Sequence, residues 1–260
     1  MNLLAARVVL RQRSLADSLD LALPFCLANR RPLGVLALVI LGPIAALLAV
    51  LRLRAHWSWA ALWLLCAGLS LLAEGAFTVA LGELLFKPPA ETRVRTFVAR
   101  FLRRFPALLF AAIIRAVMVT CTILLMAPTS IFVTEAQLLE GAPYGRALAR
   151  SRALARNRVG FCLGIWLATL FLPVVGAMSM DLLHNAVTEY VLQLGHPTGA
   201  LFTDGGSGFA VLGALLAVPL AAAARFLGYV DLRTRKEGWD IQLRFVALAE
   251  QSAAARRRAA

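Results

Sequence analysis

A long apolar run that ends abruptly in interleaved acids and bases constrains this chain more than any other feature of its sequence. The run extends from Gly208 to Val230. The segment after it pairs opposite charges at i,i+4 spacing, and such pairs face one another on a helix. An apolar segment of about 20 residues that ends in arginine and lysine is typical of a transmembrane helix at its cytoplasmic end. The predicted pairs are Asp231 with Arg235, Arg233 with Glu237, and Lys236 with Asp240.

Other apolar runs divide the rest of the 260 residues. Hydrophobic residues make up 60% of the chain and charged residues 16%, whereas a soluble domain has about a quarter charged residues. The runs predict spans at 33–51, 57–80, 105–127 and 159–180 in addition to the last one. We therefore expect an all-α fold, a polytopic transmembrane helical bundle of about six membrane helices. It is predicted to be a single domain over residues 1–250, followed by an Ala/Arg-rich cytoplasmic tail over 251–260.

The formal net charge of +13 is concentrated beside the apolar runs. Positive-inside topology and attraction to anionic lipid headgroups explain bases in such places, so the charge does not indicate a nucleic-acid partner. The pattern predicts basic amphipathic helices over 91–104 and 143–158. The paired arginines that precede apolar runs are candidate contacts for anionic lipid or a partner protein. They are Arg30, Arg31, Arg103, Arg104, Arg156 and Arg158.

A short interfacial helix is expected near the N-terminus. Ser14 and Asp17 have the spacing of a capping box, with aspartate in place of the usual glutamate. The helix that follows has an apolar face and is predicted to lie on the inner leaflet. That face is Leu15, Leu19, Ala22, Leu23 and Cys26.

The distribution of bases predicts an orientation in the membrane. No lysine or arginine occurs between Arg158 and Arg225, so that loop is expected outside and both termini in the cytoplasm. The segment 105–142 has basic residues before and after it but contains only one obvious span. A hairpin broken at Pro128 and a re-entrant element would each place both basic ends of the segment on the cytoplasmic side. We favour the hairpin.

Charged residues interrupt two of the apolar runs. Glu74 and Arg115 each cost at least about 2.5–3.5 kcal/mol at the bilayer centre unless they find a partner or water. Their opposite charges predict a buried pair. In one interpretation the pair lines a polar cavity for a substrate or a lipid headgroup. In the other it joins two helices structurally, or Arg115 extends to the interface.

Small residues recur every fourth position in the last two predicted spans. This spacing brings backbones close together and predicts tight packing between the two helices. The stripes are Gly160, Gly164 and Ala168 in one span, and Gly213, Ala217 and Ala221 in the other.

No arrangement typical of catalysis or metal binding stands out. The four cysteines are far apart and are interpreted as small apolar residues packed in helices. Asp181 and His184 are i,i+3 neighbours on the predicted outer loop, but zinc sites usually have tighter, paired ligand spacing. We therefore predict no enzyme activity, no metal site and no cofactor.

The last span runs into a box of the form Tyr-x-Asp-x-Arg-x-Arg-x-Glu-Gly-x-Asp. Its residues are Tyr229, Asp231, Arg233, Arg235, Glu237, Gly238 and Asp240. The box resembles the C-terminal pattern of bacterial integral membrane proteins related to the membrane domain of glycerophosphoryl diester phosphodiesterases, and residues 14–20 and 140–154 are similar more loosely. Stand-alone members of that group lack the phosphodiesterase's catalytic barrel. The resemblance therefore implies a membrane fold and no activity.

These patterns lead to three hypotheses of function. The first is a non-enzymatic inner-membrane scaffold or partner subunit, whose box and basic helices contact anionic lipid, a partner protein, a second copy of the chain or a neighbouring inner loop. The alternative is a small transporter or lipid-handling protein with a polar site at Glu74 and Arg115. The third is a membrane enzyme that acts at the outer loop.

Overall fold

The computed structural model describes residues 13–86, 127–194 and 201–238, together with isolated helical positions between 99 and 109. Every regular element in these residues is a helix, which confirms the all-α prediction for them. A π-helical turn, Val187–Val191, continues the helix that ends at Ala186. The helices are α1 (Leu15–Ala28), α2 (Arg30–Leu53), α3 (Trp59–Phe86), α4 (Ala127–Ser130), α5 (Val133–Glu140), α6 (Tyr144–Ala155), α7 (Val159–Ala186), α8 (Leu201–Asp204) and α9 (Gly208–Glu237).

Four helices in the described part of the chain are long and apolar enough to cross a membrane, which indicates a membrane protein. They are α2, α3, α7 with its π turn, and α9. Both helices continue past the predicted ends of their spans, α3 beyond Ala80 and α9 beyond Val230, and the second continuation agrees with the i,i+4 pairs predicted there. The charges that follow those points, Glu83 and Asp231, are both 2% exposed, so the helices continue with these side chains inside the protein.

Several predicted features lie outside the described residues. These are most of the third predicted span, and with it the choice between a hairpin and a re-entrant element, and the tail over 251–260. Most of the predicted basic helix over 91–104 is outside as well.

Helix α9 lies at the centre of the fold. Every residue from Ala221 to Leu232 is buried, and the helix packs against α7, α1, α3 and α2. Helices α2 and α7 present large apolar side chains on their outer faces, among them Leu38, Leu170 and Phe171. Large apolar side chains therefore face outward as well as into the core, and charged side chains such as Glu74 and Arg225 are buried, as expected where the surrounding solvent is lipid.

Helix α1 packs lengthwise against α9. The capping box is confirmed, since the Ser14 amide donates to Asp17 and the Asp17 amide donates to the Ser14 hydroxyl, both at 3.1 Å. The fully buried residues are Ser18, Ala22 and Phe25. Leu15, Leu19 and Cys26 of the predicted face also pack against the core, whereas Leu23 is exposed. The backbone N–H of Arg13 donates to Asp231 at 2.7 Å, and the Cys26 sulfur lies 3.9 Å from the Pro219 carbonyl oxygen. The two helices therefore run antiparallel along the C-terminal half of α9.

Helices α7 and α9 cross at a pair of glycines. A Cβ added to Gly176 would lie 2.5 Å from the carbonyl oxygen of Gly213, and one added to Gly213 would meet the carbonyl oxygen of Gly176. Gly213 and Ala217 were predicted correctly as contact residues on α9. The predicted stripe on α7 is wrong, because Gly164 faces Leu15 of α1 and Gly160 faces open space.

Candidate functional site

A buried arginine joins three helices in the C-terminal half of α9. The Arg225 guanidinium donates through Nη1 to Glu74 of α3 at 2.6 Å and through Nε to Glu135 of α5 at 2.5 Å. The side chains of Arg225, Glu74 and Glu135 are 4%, 8% and 0% exposed. We call these three residues the buried triad.

The buried triad holds two carboxylates against one guanidinium. Arg225 lies about 26 Å along the helix axis from Gly208, at the helical rise of about 1.5 Å per residue, and therefore deep in a helix long enough to cross a membrane. Oε2 of Glu135 and Nη2 of Arg225 make no hydrogen bond with any described residue. Buried ionic groups lose several kcal/mol of hydration each, roughly, so a site of this kind either has a structural task or binds something.

A polar stripe on α9 continues from the buried triad toward the end of the helix. It consists of Arg225, Tyr229, Arg233 and Glu237, which recur every fourth residue and so share one face. The Tyr229 hydroxyl donates to Glu140, and Arg233 lies 3.3 Å from the same carboxylate. Arg233 also donates to Glu237 at 2.7 Å, as the sequence predicted. The stripe thus links the interior to the charged end of the bundle.

Helix α6 closes the polar stripe from outside. Arg150 pairs with Glu237 and lies 3.4 Å from Glu140, and the Lys236 ammonium donates to the carbonyl of Ala153. Arg150 and Glu140 are 35% and 22% exposed, so this part of the network is reached by water. Surface ion pairs of this kind contribute little each, about 0–1 kcal/mol, and their effect here is to fix α5 and α6 on α9.

The other face of the box holds the segment that directly precedes α1. Asp231 accepts from Arg235 at 2.7 Å, which confirms the predicted pair, and Arg235 donates to the backbone carbonyl of Arg13. Gly238 ends the helix with φ at 63°, a left-handed conformation that favours glycine at this position. The box therefore makes contacts within the protein, on two faces of one helix.

The predicted site residues fall into different surroundings. Glu74 is in the buried triad, where its partner is Arg225; the expected partner Arg115 lies outside the described residues, as do Arg104 and Asp240. The remaining paired arginines of the sequence prediction are exposed and form no side-chain ion pair with any described residue. They are Arg30, Arg31, Arg103, Arg156 and Arg158.

Sequence reasoning missed Arg225 and Glu135. Arg225 was interpreted only as the first basic residue after the segment that has no lysine or arginine, and therefore as its cytoplasmic flank. One signal was available, since Arg225 stands four residues before Tyr229 and eight before Arg233, so it continues the face of the box. No comparable signal exists for Glu135, because α5 meets α9 only in the folded chain.

The opposite end of the bundle is held by Asp181. Its carboxylate is 1% exposed and accepts from the Leu201 amide at 3.1 Å, from Asn185 at 3.3 Å and from the Ser207 hydroxyl. His184 does not join it but stacks on Phe209, with ring centroids 3.6 Å apart. Within the described residues no group of His, Cys, Asp or Glu side chains is arranged to hold a metal ion. Asp181 therefore ties the start of α8 and the residue before α9 to α7.

The described cysteines are packed in helices, as predicted. Cys66 and Cys162 are 2% and 0% exposed, and Cys26 is half-buried between α1 and α9; all three are free thiols. Burial raises the pKa of the Cys26 thiol to about 11, so it is protonated at neutral pH and a poor nucleophile. Cys121 lies outside the described residues.

Comparisons of the chain with protein-family models, with curated proteins and with solved structures found no match. The resemblance of the C-terminal box to the phosphodiesterase-related membrane proteins therefore stays a prediction.

Proposed function

We propose that this protein is a non-enzymatic, multi-pass protein of the bacterial cytoplasmic membrane that acts as a scaffold or partner subunit. Both termini are in the cytoplasm, and its exposed basic residues contact anionic lipid or a partner protein there. The proposal includes the relationship of the C-terminal box to the phosphodiesterase-related membrane proteins.

The observation that carries this proposal is the division of the basic residues into two groups. One group is used inside the protein: Arg150, Arg225, Arg233, Arg235 and Lys236 all contact acids or carbonyls of other segments. The second group, at the start of α2 and between α6 and α7, is exposed and has no acidic partner among the described residues. Arginines that make no ion pair within the chain are suited to phosphate groups of lipid or to acids on a partner.

The first test removes the second group of arginines. A variant with Arg30, Arg31, Arg156 and Arg158 replaced by glutamine is purified in mild detergent, and its bound lipids and proteins are identified by mass spectrometry. Each arginine near an anionic surface contributes about 1 kcal/mol, or about fivefold in binding. We expect a loss of enriched anionic lipid, or of a stoichiometric partner, relative to the parent protein.

The control for this test is Arg54→Gln. Arg54 is equally exposed but follows α2 at its other end. It should leave the bound lipids and proteins unchanged. If the variant with all four arginines replaced keeps the same lipids and proteins as the parent, the scaffold proposal is wrong in its choice of contact residues.

A second candidate function is favoured by the buried triad. The triad holds two carboxylates and a guanidinium among helices of membrane-spanning length, and some of its hydrogen-bonding atoms are not used by any described residue. Such groups are typical of a polar site in a transporter or lipid-handling protein. Arg225 is the described partner of Glu74 in this site, and Arg115, which the sequence predicted as its partner, lies outside the described residues.

Lipid movement tests the second candidate. In proteoliposomes with a fluorescent phospholipid, the fraction of label accessible to an external quencher reports transfer between leaflets. Glu74→Gln keeps the Arg225–Glu135 contact and should keep the fold. We expect a folded Glu74→Gln protein to lose transfer. The control is Asp20→Asn, on the exposed side of α1, which should transfer lipid as the parent does. No transfer by the parent protein would remove phospholipid as the substrate.

A further inference from the structure

A groove runs between α2 and α9 at the end of the bundle opposite the charged box. It has a volume of about 1060 Å³, at the upper end of the range of ligand sites. Small residues of α2, Ala45, Ala46 and Ala49, leave the space, and Leu48 and Leu62 are buried beneath it. Because the walls belong to helices of membrane-spanning length, the groove opens beside hydrocarbon chains. Its apolar lining therefore suits an acyl chain.

The mouth of the groove carries charges of both signs. Arg52 and Asp204 line it, on the last turn of α2 and at the end of α8. The Arg52 guanidinium lies 4.6 Å over the Trp59 ring and donates to the Trp57 carbonyl at 3.0 Å. This is its only hydrogen bond to a described residue, so most of its N–H donors remain for a ligand.

The mouth is held in place by the start of α3. The Trp63 indole donates to the Gly205 carbonyl at 3.0 Å, and Trp59 packs so tightly on Gly206 that no side chain fits there. These contacts connect the start of α3 to Gly205 and Gly206, which directly follow Asp204. Tryptophans in this position are typical of the level of lipid headgroups, where an apolar ring meets polar partners.

We propose that this groove binds one phospholipid. One acyl chain lies along Ala45, Ala46 and Ala49, the phosphate accepts hydrogen bonds from Arg52, and a headgroup with an ammonium group donates to Asp204. A zwitterionic headgroup brings an ammonium group to Asp204, which also accepts from the Thr203 hydroxyl at 3.2 Å, whereas an anionic headgroup without an amine only adds negative charge beside this carboxylate. The site is independent of the exposed arginines at the other end of the bundle.

Native mass spectrometry after exchange into an equimolar mixture of phosphatidylethanolamine and phosphatidylglycerol tests the proposal. The parent protein should retain one phospholipid, with the ethanolamine lipid in excess. Ala49→Trp fills the groove from the exposed face of α2 and should reduce retention about tenfold. Arg52→Gln should also reduce it, and Asp204→Asn should keep the lipid but abolish the preference for ethanolamine.

Leu47→Trp is the matched control, because Leu47 is 46% exposed on the same helix and does not line the groove. It should retain lipid as the parent does. Thermal unfolding of each variant separates loss of lipid from loss of fold, and Ala46→Phe provides a second, smaller filling substitution. Equal retention by the parent protein and a folded Ala49→Trp variant would overturn the proposal. Equal binding of the two lipids by the parent would overturn the assignment of Asp204 to the headgroup.

Discussion

Replacing Arg225 with methionine is expected to lower the free energy of unfolding by about 3–5 kcal/mol, because Glu74 and Glu135 are then left buried without their cation. Methionine is flexible and fills much of the space of the arginine side chain, so the loss reports mainly the uncompensated charge. The measurement is denaturant unfolding of the purified protein in mild detergent, followed by tryptophan fluorescence.

A triple variant separates charge from packing. Arg225→Met combined with Glu74→Gln and Glu135→Gln removes every charge of the buried triad and should recover most of the lost stability. Arg146→Met, an exposed cation on α6, should change the free energy of unfolding by less than about 0.5 kcal/mol. Parent-like stability of Arg225→Met would mean that the triad does not hold the three helices together.

The same comparison bears on the choice between the two functions. In a scaffold, the triple variant should keep its bound lipid or partner once its stability has been recovered. In a transporter or lipid-handling protein, the triple variant should fold but fail to move its substrate, because the polar site is gone. Stability and transport measured on one protein therefore distinguish a structural triad from a functional one.

The second large effect is expected at the crossing of α7 and α9. Gly213→Ala should lower the free energy of unfolding by about 1–3 kcal/mol, because the new methyl group meets the backbone of α7 at Gly176. A backbone carbonyl cannot rotate away as a side chain does, so the helices must separate along their contact. Denaturant unfolding in detergent measures the loss, and Gly213→Leu should be worse.

Gly68→Ala is the control and should have the opposite sign. Gly68 lies inside α3, is exposed, and faces open space where a methyl group would be added. Alanine is favoured over glycine in a helix by about 0.5–1 kcal/mol, so a slight gain in stability is expected. Equal effects at the two positions would argue that helix propensity, rather than the close crossing, decides the stability at Gly213.

Local patterns in the sequence predicted the local structure well. The capping box at Ser14, the pairs Asp231–Arg235 and Arg233–Glu237, and four of the apolar runs depend on residues close together in the chain. Helix caps and i,i+4 pairs need only the geometry of one helix, and hydropathy needs only length and composition. Gly213 was predicted as a contact residue for the same reason, since small-residue spacing is visible along one helix.

The predictions that failed required knowledge of a neighbouring helix. The contact stripe on α7 was wrong, and Arg225 and Glu135 were missed, because these contacts depend on which helices are adjacent and at what rotation. Hydropathy also ended the second span at Ala80, because it counts Glu83 as polar without knowing that this side chain is buried. A charge ends an apolar run in the sequence but not necessarily in the fold.

The sequence by itself determined that this chain is helical and belongs in a membrane, because the length of each apolar run and the position of each charge can be read directly from the order of the residues. Only the tertiary structure decided which charges are buried together. Arg225 is 151 residues from Glu74 and 90 residues from Glu135 along the chain, and their contact exists only because α3, α5 and α9 pack side by side. Ion pairs between distant segments leave no periodic mark in a sequence, since each member lies on its own helix with its own period.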